Sequence, residues 1–390
     1  MDFSSMVAAI NAPTGLWANL INWVHSWVGS YGWTILVLIM LVKLVLSPLD
    51  YLIKHSSKKT ALVQQKTAPQ LAKLRKKYGD NQQMIQQQTQ ALYKKEGYNV
   101  YGSCIVMLVN IVLTMVIFFS LFSGLRQLSS YQAINQYDNL HTTYVESVTA
   151  SYGTYEDYEV VATKVAKNEA LTGAEQTKWD EAIAEAKAAV QAKWGDVAQN
   201  WLWVKNIWVI DGHKSPLPTF SELQKMANNS KIGEYQNYVN RIGDTETNPV
   251  PLYEYNQIAS GVEAQTGTWN GYYLLAVFSV LLSVASQLLN DLSTKNKNKK
   301  AQAIVNQANP QSKSMWFMKL LIPVMMAIFV LTTNAAFGIY VVTNSIMSTL
   351  IGFATNGIVA LVFRKKQAEV NEFLEKEANR IERKMAKGER

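Results

Sequence analysis

Lys43 lies inside an apolar run, ILVLIMLVKLVLSPLDY, over residues 35–51. An ammonium group at that depth costs about 2.5–3.5 kcal/mol on insertion scales. It therefore needs either a path to the headgroups or water beside it. Asp50 is seven residues further on, about 10 Å along a helix axis, so snorkelling of the lysine stem is the plainer reading. Other polar residues inside apolar runs favour water. Asn110 and Thr114 stand four apart, on one helical face. Gln287 interrupts a third run, and Thr343, Asn344 and Ser348 interrupt a fifth. Each alone is an ordinary interhelical hydrogen-bonding group. Together with Lys43 they describe a hydrated groove carrying a fixed positive charge. The chemistry of such a groove is electrostatic capture of a polar or acidic segment.

No residues point to bond-breaking chemistry. His25, His55, His141 and His213 are scattered, Cys104 is the sole cysteine, and no glycine-rich phosphate loop or nucleophile elbow occurs. No enzymatic activity, metal or cofactor is expected. The chain is 48% hydrophobic with a mean hydropathy of only −0.04. Such a combination implies apolar blocks separated by polar ones.

Five blocks are apolar enough to cross a bilayer: residues 33–49, 104–122, 272–289, 318–333 and 335–363. Asn334 separates the last two, which predicts a tight hairpin at one membrane face. Residues 51–100 hold ten Lys/Arg against Asp80 and Glu96, whereas residues 124–270 hold eleven basic and eighteen acidic residues. By the positive-inside rule the N-terminus lies outside and the C-terminus in the cytoplasm of a bacterial plasma membrane protein. The expected division is an outer interfacial amphipathic helix (1–30), span 1 (31–50), a basic cytoplasmic helical hairpin (51–100) and span 2 (101–124). A helical extracellular insertion (125–269) follows, then span 3 (270–290), a basic cytoplasmic loop (291–315), span 4 (316–333), span 5 (335–363) and a cytoplasmic tail (364–390). The fold class is all-α, a polytopic membrane protein.

The connecting parts carry their own signals. Residues 13–30 place Trp17, Leu20, Val24 and Trp27 on one helical face, which suits a helix lying in the outer interface; a signal peptide is not expected. In the hairpin, Gly79-Asp80-Asn81 is the turn, Gly97 is the closing cap, and Leu71, Leu74 and Tyr78 face Ile85, Gln88 and Leu92. A seam so thin predicts a mobile element. In the insertion, Trp179, Ile183, Ala186 and Val190 form a helical stripe, and Thr219 with Glu222 forms a capping box. Trp201, Trp203 and Trp208 suit the outer interface. The tail spaces Val370, Phe373, Leu374, Ile381 and Met385 helically, but its mixed charge predicts a solvated helix.

The order of these parts resembles the YidC family of membrane protein insertases. The resemblance rests on Lys43, Pro48-Leu49, Pro69, Leu92-Tyr93-Lys94, Glu96-Gly97, Asn99 and Gly102-Ser103-Cys104. WLWVKNI before the third span, YYLLAVFSVLLSVASQ in it, LIPVMMAIF in the fourth and GIYVVTNSIMS in the fifth extend it. Residues 129–199 look inserted. The family's usual arginine is Lys43 here, and Asn334 replaces its proline, as in a divergent member. The resemblance implies five helices around a hydrophilic groove open to the cytosol and to lipid. It implies a client-binding set of Lys43, Asn110, Thr114, Gln287, Tyr340, Thr343 and Asn344. It also implies action without nucleotide, alone or beside the Sec translocon, on nascent membrane protein clients. The basic hairpin suits anionic phospholipid headgroups or ribosomal RNA; DNA is not an expected partner.

Two readings of other classes compete. A secondary transporter would use Lys43 as a substrate site, but repeated halves and broken helices are missing from the sequence. A membrane-anchored receptor acting through its extracellular domain would leave Lys43 and the basic hairpin unexplained.

Overall fold

The computed structural model describes residues 12–79, 81–96, 100–212, 216–227, 249–263, 273–294 and 313–386. Among these the secondary structure is helical apart from turns and one isolated bridge between Trp201 and Val204. The expected turn residue Asp80 and the closing cap Gly97 fall outside the described residues. Three helices are long and apolar enough to cross a membrane: α2 (Tyr31–Tyr78), α4 (Val100–Tyr152) and α11 (Ala335–Val362). Two shorter apolar stretches, Leu274–Leu289 in α9 (Leu274–Thr294) and Pro323–Thr332 in α10 (Lys313–Thr332), occupy the remaining two blocks. The chain is an all-α polytopic membrane protein.

The helices ignore two of the expected boundaries. No break occurs at residues 50 and 51, because α2 carries through both Pro48 and Pro69. None occurs at residues 124 and 125, because α4 runs on for 28 residues beyond Gly124. Polar residues that leave the membrane remain good helix formers, so the backbone continues where the solvent changes.

The chain divides into two units. The first comprises Met1–Ile39, Phe119–Ser279 and Ala327–Val342. Here α1 (Leu16–Val28) ends at Gly29, whose φ of 76° is left-handed and whose N–H donates to the His25 carbonyl. Ala18, Ile21 and Val24 are buried, whereas Trp23 and Trp27 are exposed with ring centroids 4.1 Å apart. The predicted stripe therefore divides, with Val24 facing protein and Trp27 facing out. Trp17 also leaves it: its Nε1 donates to Ser120 Oγ at 2.7 Å, and its Cβ lies against Gly124, where a side chain would collide.

Two of the tryptophans predicted for the interface turn inward. Trp201 and Trp208 are buried, Trp201 packs so closely on Gly32 that a methyl there would overlap the indole, and Trp208 meets the Tyr31 ring at 4.9 Å. The carbonyls of Ile207 and Val209 accept from Ala336 and Ala335 N–H at 2.8 and 2.7 Å. They satisfy donors that the first turn of α11 leaves free. Asn334 caps the same end, accepting from Phe337 N–H. Trp201 and Trp208 are thus packing partners, and the backbone of the same segment, at Ile207 and Val209, caps α11.

The core of this unit is the C-terminal half of α4 with α5 (Tyr155–Ala166), α6 (Gly173–Val197), α7 (Phe220–Ala227) and α8 (Val250–Glu263). The stripe Trp179, Ile183, Ala186 and Val190 is buried as its spacing predicts, and Trp194 extends it. Capping boxes form at Thr172–Glu175 and at Thr219–Glu222. A polar network crosses the core: His141 Nε2 and Glu254 Oε2 lie 2.9 Å apart, and Tyr155 Oη donates to Glu254 at 3.1 Å.

Asp138 sits one turn before His141, some 14 residues past the apolar part of α4, and it is buried. Burial pushes its carboxyl from 3.8 up to about 6, opposed by His141. The folded state holds this proton more tightly than the unfolded chain does. Stability is therefore lost as pH rises from about 4 to about 6, and the cost above that range is on the order of 2–3 kcal/mol. Asp138→Asn should raise the thermal midpoint of this core at pH 7.5 and change it little at pH 4. Tryptophan fluorescence melts at the two pH values check this, and a loss of stability at pH 7.5 would refute it.

The second unit comprises Met40–Phe118, Val280–Met326 and Thr343–Arg390. Gly79, with φ 54°, ends α2, and Asn81 caps α3 (Gln82–Lys95) by accepting from Met84 N–H. The hairpin seam follows the expectation only in part. None of the residues of α3 is buried, and Leu71 packs instead with Ala68 against Leu374 and Ala378. Those two belong to α12 (Arg364–Ala386). Leu74, Gln88 and Leu92 border a hollow of about 380 Å³ together with Lys73, Lys77 and Lys95. The tail is a docked helix, not a solvated one. Val370, Phe373, Leu374 and Ala378 share one face of α12 and cover α2, and Gln367 accepts from Lys58 Nζ at 2.7 Å. The mixed charge of the tail occupies its other face.

Candidate functional site

In the second unit α2 presents three charges on one face. Lys43, Asp50 and Lys54 are spaced seven and four residues apart, two turns and then one. All three line a cavity of about 220 Å³. The opposing wall is uncharged: α9 contributes Ser286, and α11 contributes Ser348, Gly352 and Asn356 at four-residue spacing, with Thr349 and Phe353 beside them. Small and hydroxylated residues at these positions leave room for water and supply partners for it.

One bond crosses the cavity. Lys54 Nζ donates to the Gly352 carbonyl at 2.9 Å. A Cβ at Gly352 would stand 3.3 Å from that ammonium, a tight approach that the flexible lysine tip would have to ease by a few tenths of an ångström. Thr355 Oγ1 donates to the carbonyls of Ile351 and Gly352. Above the cavity Ser283 and Ser345 hydroxyls lie 3.3 Å apart, bridging α9 and α11. Lys43 and Asp50 are half-buried. Among the described residues no cluster of His, Cys, Asp or Glu could hold a metal.

Of the expected client-binding residues, Lys43 lines the cavity. Gln287 follows Ser286 on α9 and is half-buried without lining it. Thr343 is buried and Asn344 half-buried, both more than one turn before Ser348. Asn110 is half-buried and Thr114 exposed on α4, where Val112, Met115 and Val116 are exposed as well. Thr114 thus shares an apolar outward surface. Tyr340 is buried in the first unit, its ring 5.6 Å from Phe337. The cavity residues beyond that set are Asp50, Lys54, Ser286, Ser348, Thr349, Gly352, Phe353 and Asn356. The spacing 43, 50, 54 and the spacing 348, 352, 356 were the available signals.

Residues 23–165 match the family described as 60Kd inner membrane protein. The membrane protein insertase YidC of Stenotrophomonas maltophilia (strain K279a) is 38% identical over 124 residues, 31% of this chain and 20% of that protein. The protein of the same name from Pseudomonas fluorescens is 39% identical over 103 residues, 26% of this chain and 17% of its own length. That from Thioalkalivibrio sulfidiphilus is 35% identical over 102 residues, 26% and 18%. The chain spans about a fifth of the length of the relatives it matches. No solved structure matches. The matched segment, residues 23–165, is the one that carries Lys43, Asp50 and Lys54, and it is similar to the 60Kd inner membrane protein family and to the insertases named YidC.

Proposed function

We propose that the protein is a membrane protein insertase and chaperone that receives the polar segment of a nascent membrane protein in the Lys43 cavity and passes the client's apolar helix to lipid. The observation that carries this reading is the cavity itself, with a charged stripe from an apolar helix on one side and hydroxyl and amide groups on the other. Moving a polar tail across roughly 30 Å of hydrocarbon is the costly step. A wet cavity shortens that path, and Lys43 supplies attraction in a medium of lower dielectric than water. No nucleotide or metal takes part.

The reading includes five spans, an outer N-terminus and an inner C-terminus. The basic character of residues 51–100 and of the tail supports this orientation. Anionic phospholipids and the ribosome are the partners that suit the basic hairpin, whose hollow gathers Lys73, Lys77 and Lys95. The Sec translocon is the partner the family suggests. The outer helical core has no role assigned.

The test is reconstitution of the purified chain into liposomes with a small single-span client whose translocated tail is acidic. Protease protection of that tail should rise well above that in protein-free liposomes, with a cysteine at Ser57 labelled only from the cytoplasmic side. Protection no greater than in protein-free liposomes would overturn the function, and labelling of Ser57 from the outer side would overturn the orientation.

A further inference from the structure

Lys43 and Lys54 leave a question at Asp50. A carboxylate weakens a cavity whose task is to attract negative charge, yet Asp50 shares the cavity with both lysines. It stands about 10 Å from Lys43 and about 6 Å from Lys54 along the helix axis. The ammonium of Lys54 is directed to the Gly352 carbonyl at 2.9 Å. No ion pair joins Asp50 to Lys43, to Lys54 or to any other described residue. The wall facing it, Ser286, Ser348, Thr349 and Asn356, brings no charge. Asp50 is thus a half-buried carboxyl group in a cavity, seven residues from Lys43 on the side that leads to the basic hairpin, within the field of both lysines but in ion-pair contact with neither.

Resting on the insertase reading above, we propose that Asp50 determines client specificity by receiving the basic residues that flank a client's membrane segment on its cytoplasmic side. Lys43 attracts the acidic or polar part that will cross, and Asp50 attracts the lysine or arginine that must stay behind. The cavity then reads the order of charges along the client, anionic part deep and cationic part shallow. A client threaded the opposite way meets like charge at both positions, a repulsive arrangement of the kind that creates specificity. The Lys54–Gly352 bond serves this by keeping the nearest cation turned to the opposite wall.

The bland alternative is that Asp50 only balances the two lysines. The two readings part on which clients suffer. The experiment uses the full chain in liposomes with two clients that share an acidic tail and differ only in the inner flank, one with two lysines and one with two glutamines. Asp50→Asn should lower insertion of the lysine-flanked client about fivefold, the size of one partly exposed charge interaction, and leave the glutamine-flanked client at the wild-type rate. Asp50→Glu should restore the difference, and Asp50→Lys should favour a client whose flank is glutamate. Equal effects on both clients, or a gain for both as the net positive charge rises, would overturn the proposal while leaving the insertase reading intact. A wild-type chain that inserts neither client would instead remove that reading, and this one with it. Helicity and thermal midpoint of each variant, compared with wild type, separate misfolding from loss of recognition.

Discussion

Lys43→Leu is expected to reduce insertion of clients with acidic translocated tails by at least about tenfold, and Lys43→Arg to keep it. The leucine variant itself should enter the membrane at least as stably as wild type, because it sheds the cost of a buried ammonium, about 2.5–3.5 kcal/mol. Its defect would therefore be one of function. A charge pair about 4 Å apart interacts by roughly 4 kcal/mol at an effective dielectric of about 20. Loss of even a third of that amount gives a tenfold effect. Arginine preserves the charge on a stem of similar reach, although its planar fork binds carboxylates differently from an ammonium. Clients with neutral tails should suffer less, since water in the cavity serves them more than charge does. Initial rates of tail protection in liposomes measure both. A Lys43→Leu chain that inserts acidic-tailed clients at the wild-type rate would leave Lys43 as a snorkelling residue.

Trp179→Ala should be the most damaging single change in the helical core formed by α4 to α8. Trp179 is 4% exposed, stacks on Tyr158 with centroids 5.6 Å apart and planes within 5°, and lies 5.7 Å from the ring of Tyr253. Truncating a buried tryptophan costs about 3–5 kcal/mol, since the cavity left behind closes only in part. In a core of this size that is a fall in thermal midpoint on the order of 10 °C. New protease cleavage between residues 129 and 263 should accompany it. An unchanged midpoint and an unchanged cleavage pattern would mean that α4 to α8 do not share one core.

What the sequence made legible was local. The apolar runs announce the three long helices, and the stripe from Trp179 to Val190 announces the buried face of α6, because both follow from periodicity alone. Thr219 announces a helix start through a side chain three residues away. What depends on distant partners stayed hidden. Leu71 could have faced α3, and only the arrival of Leu374, about 300 residues later, decides that it faces α12. Trp201 and Trp208 read as interface residues until Gly32 and Tyr31 are brought beneath them.

The site follows the same division. Lys43 stood out because a charge in an apolar run is costly wherever the helix points. Asn110, Thr114, Thr343 and Asn344 are polar enough to suit a groove, but helix rotation is set by packing that composition does not reveal. Gly352 is the clearest case. In IMSTLIGFATN the four-residue spacing places Gly352 on one face with Ser348 and Asn356, but its bond to Lys54 appears only when that lysine reaches its carbonyl across the cavity.

The most direct measurement is photo-crosslinking from inside the cavity during insertion. A photoreactive residue at Thr349, on the cavity wall, is compared with one at Val116, which is exposed on α4. Each chain is reconstituted and given an acidic-tailed single-span client halted part-way through insertion. The expected result is adducts from Thr349 to the client's polar tail that fall sharply in the Lys43→Leu background, with Val116 reaching lipid or the client's apolar helix. Tail adducts absent from Thr349 while the client still inserts would contradict passage through the cavity.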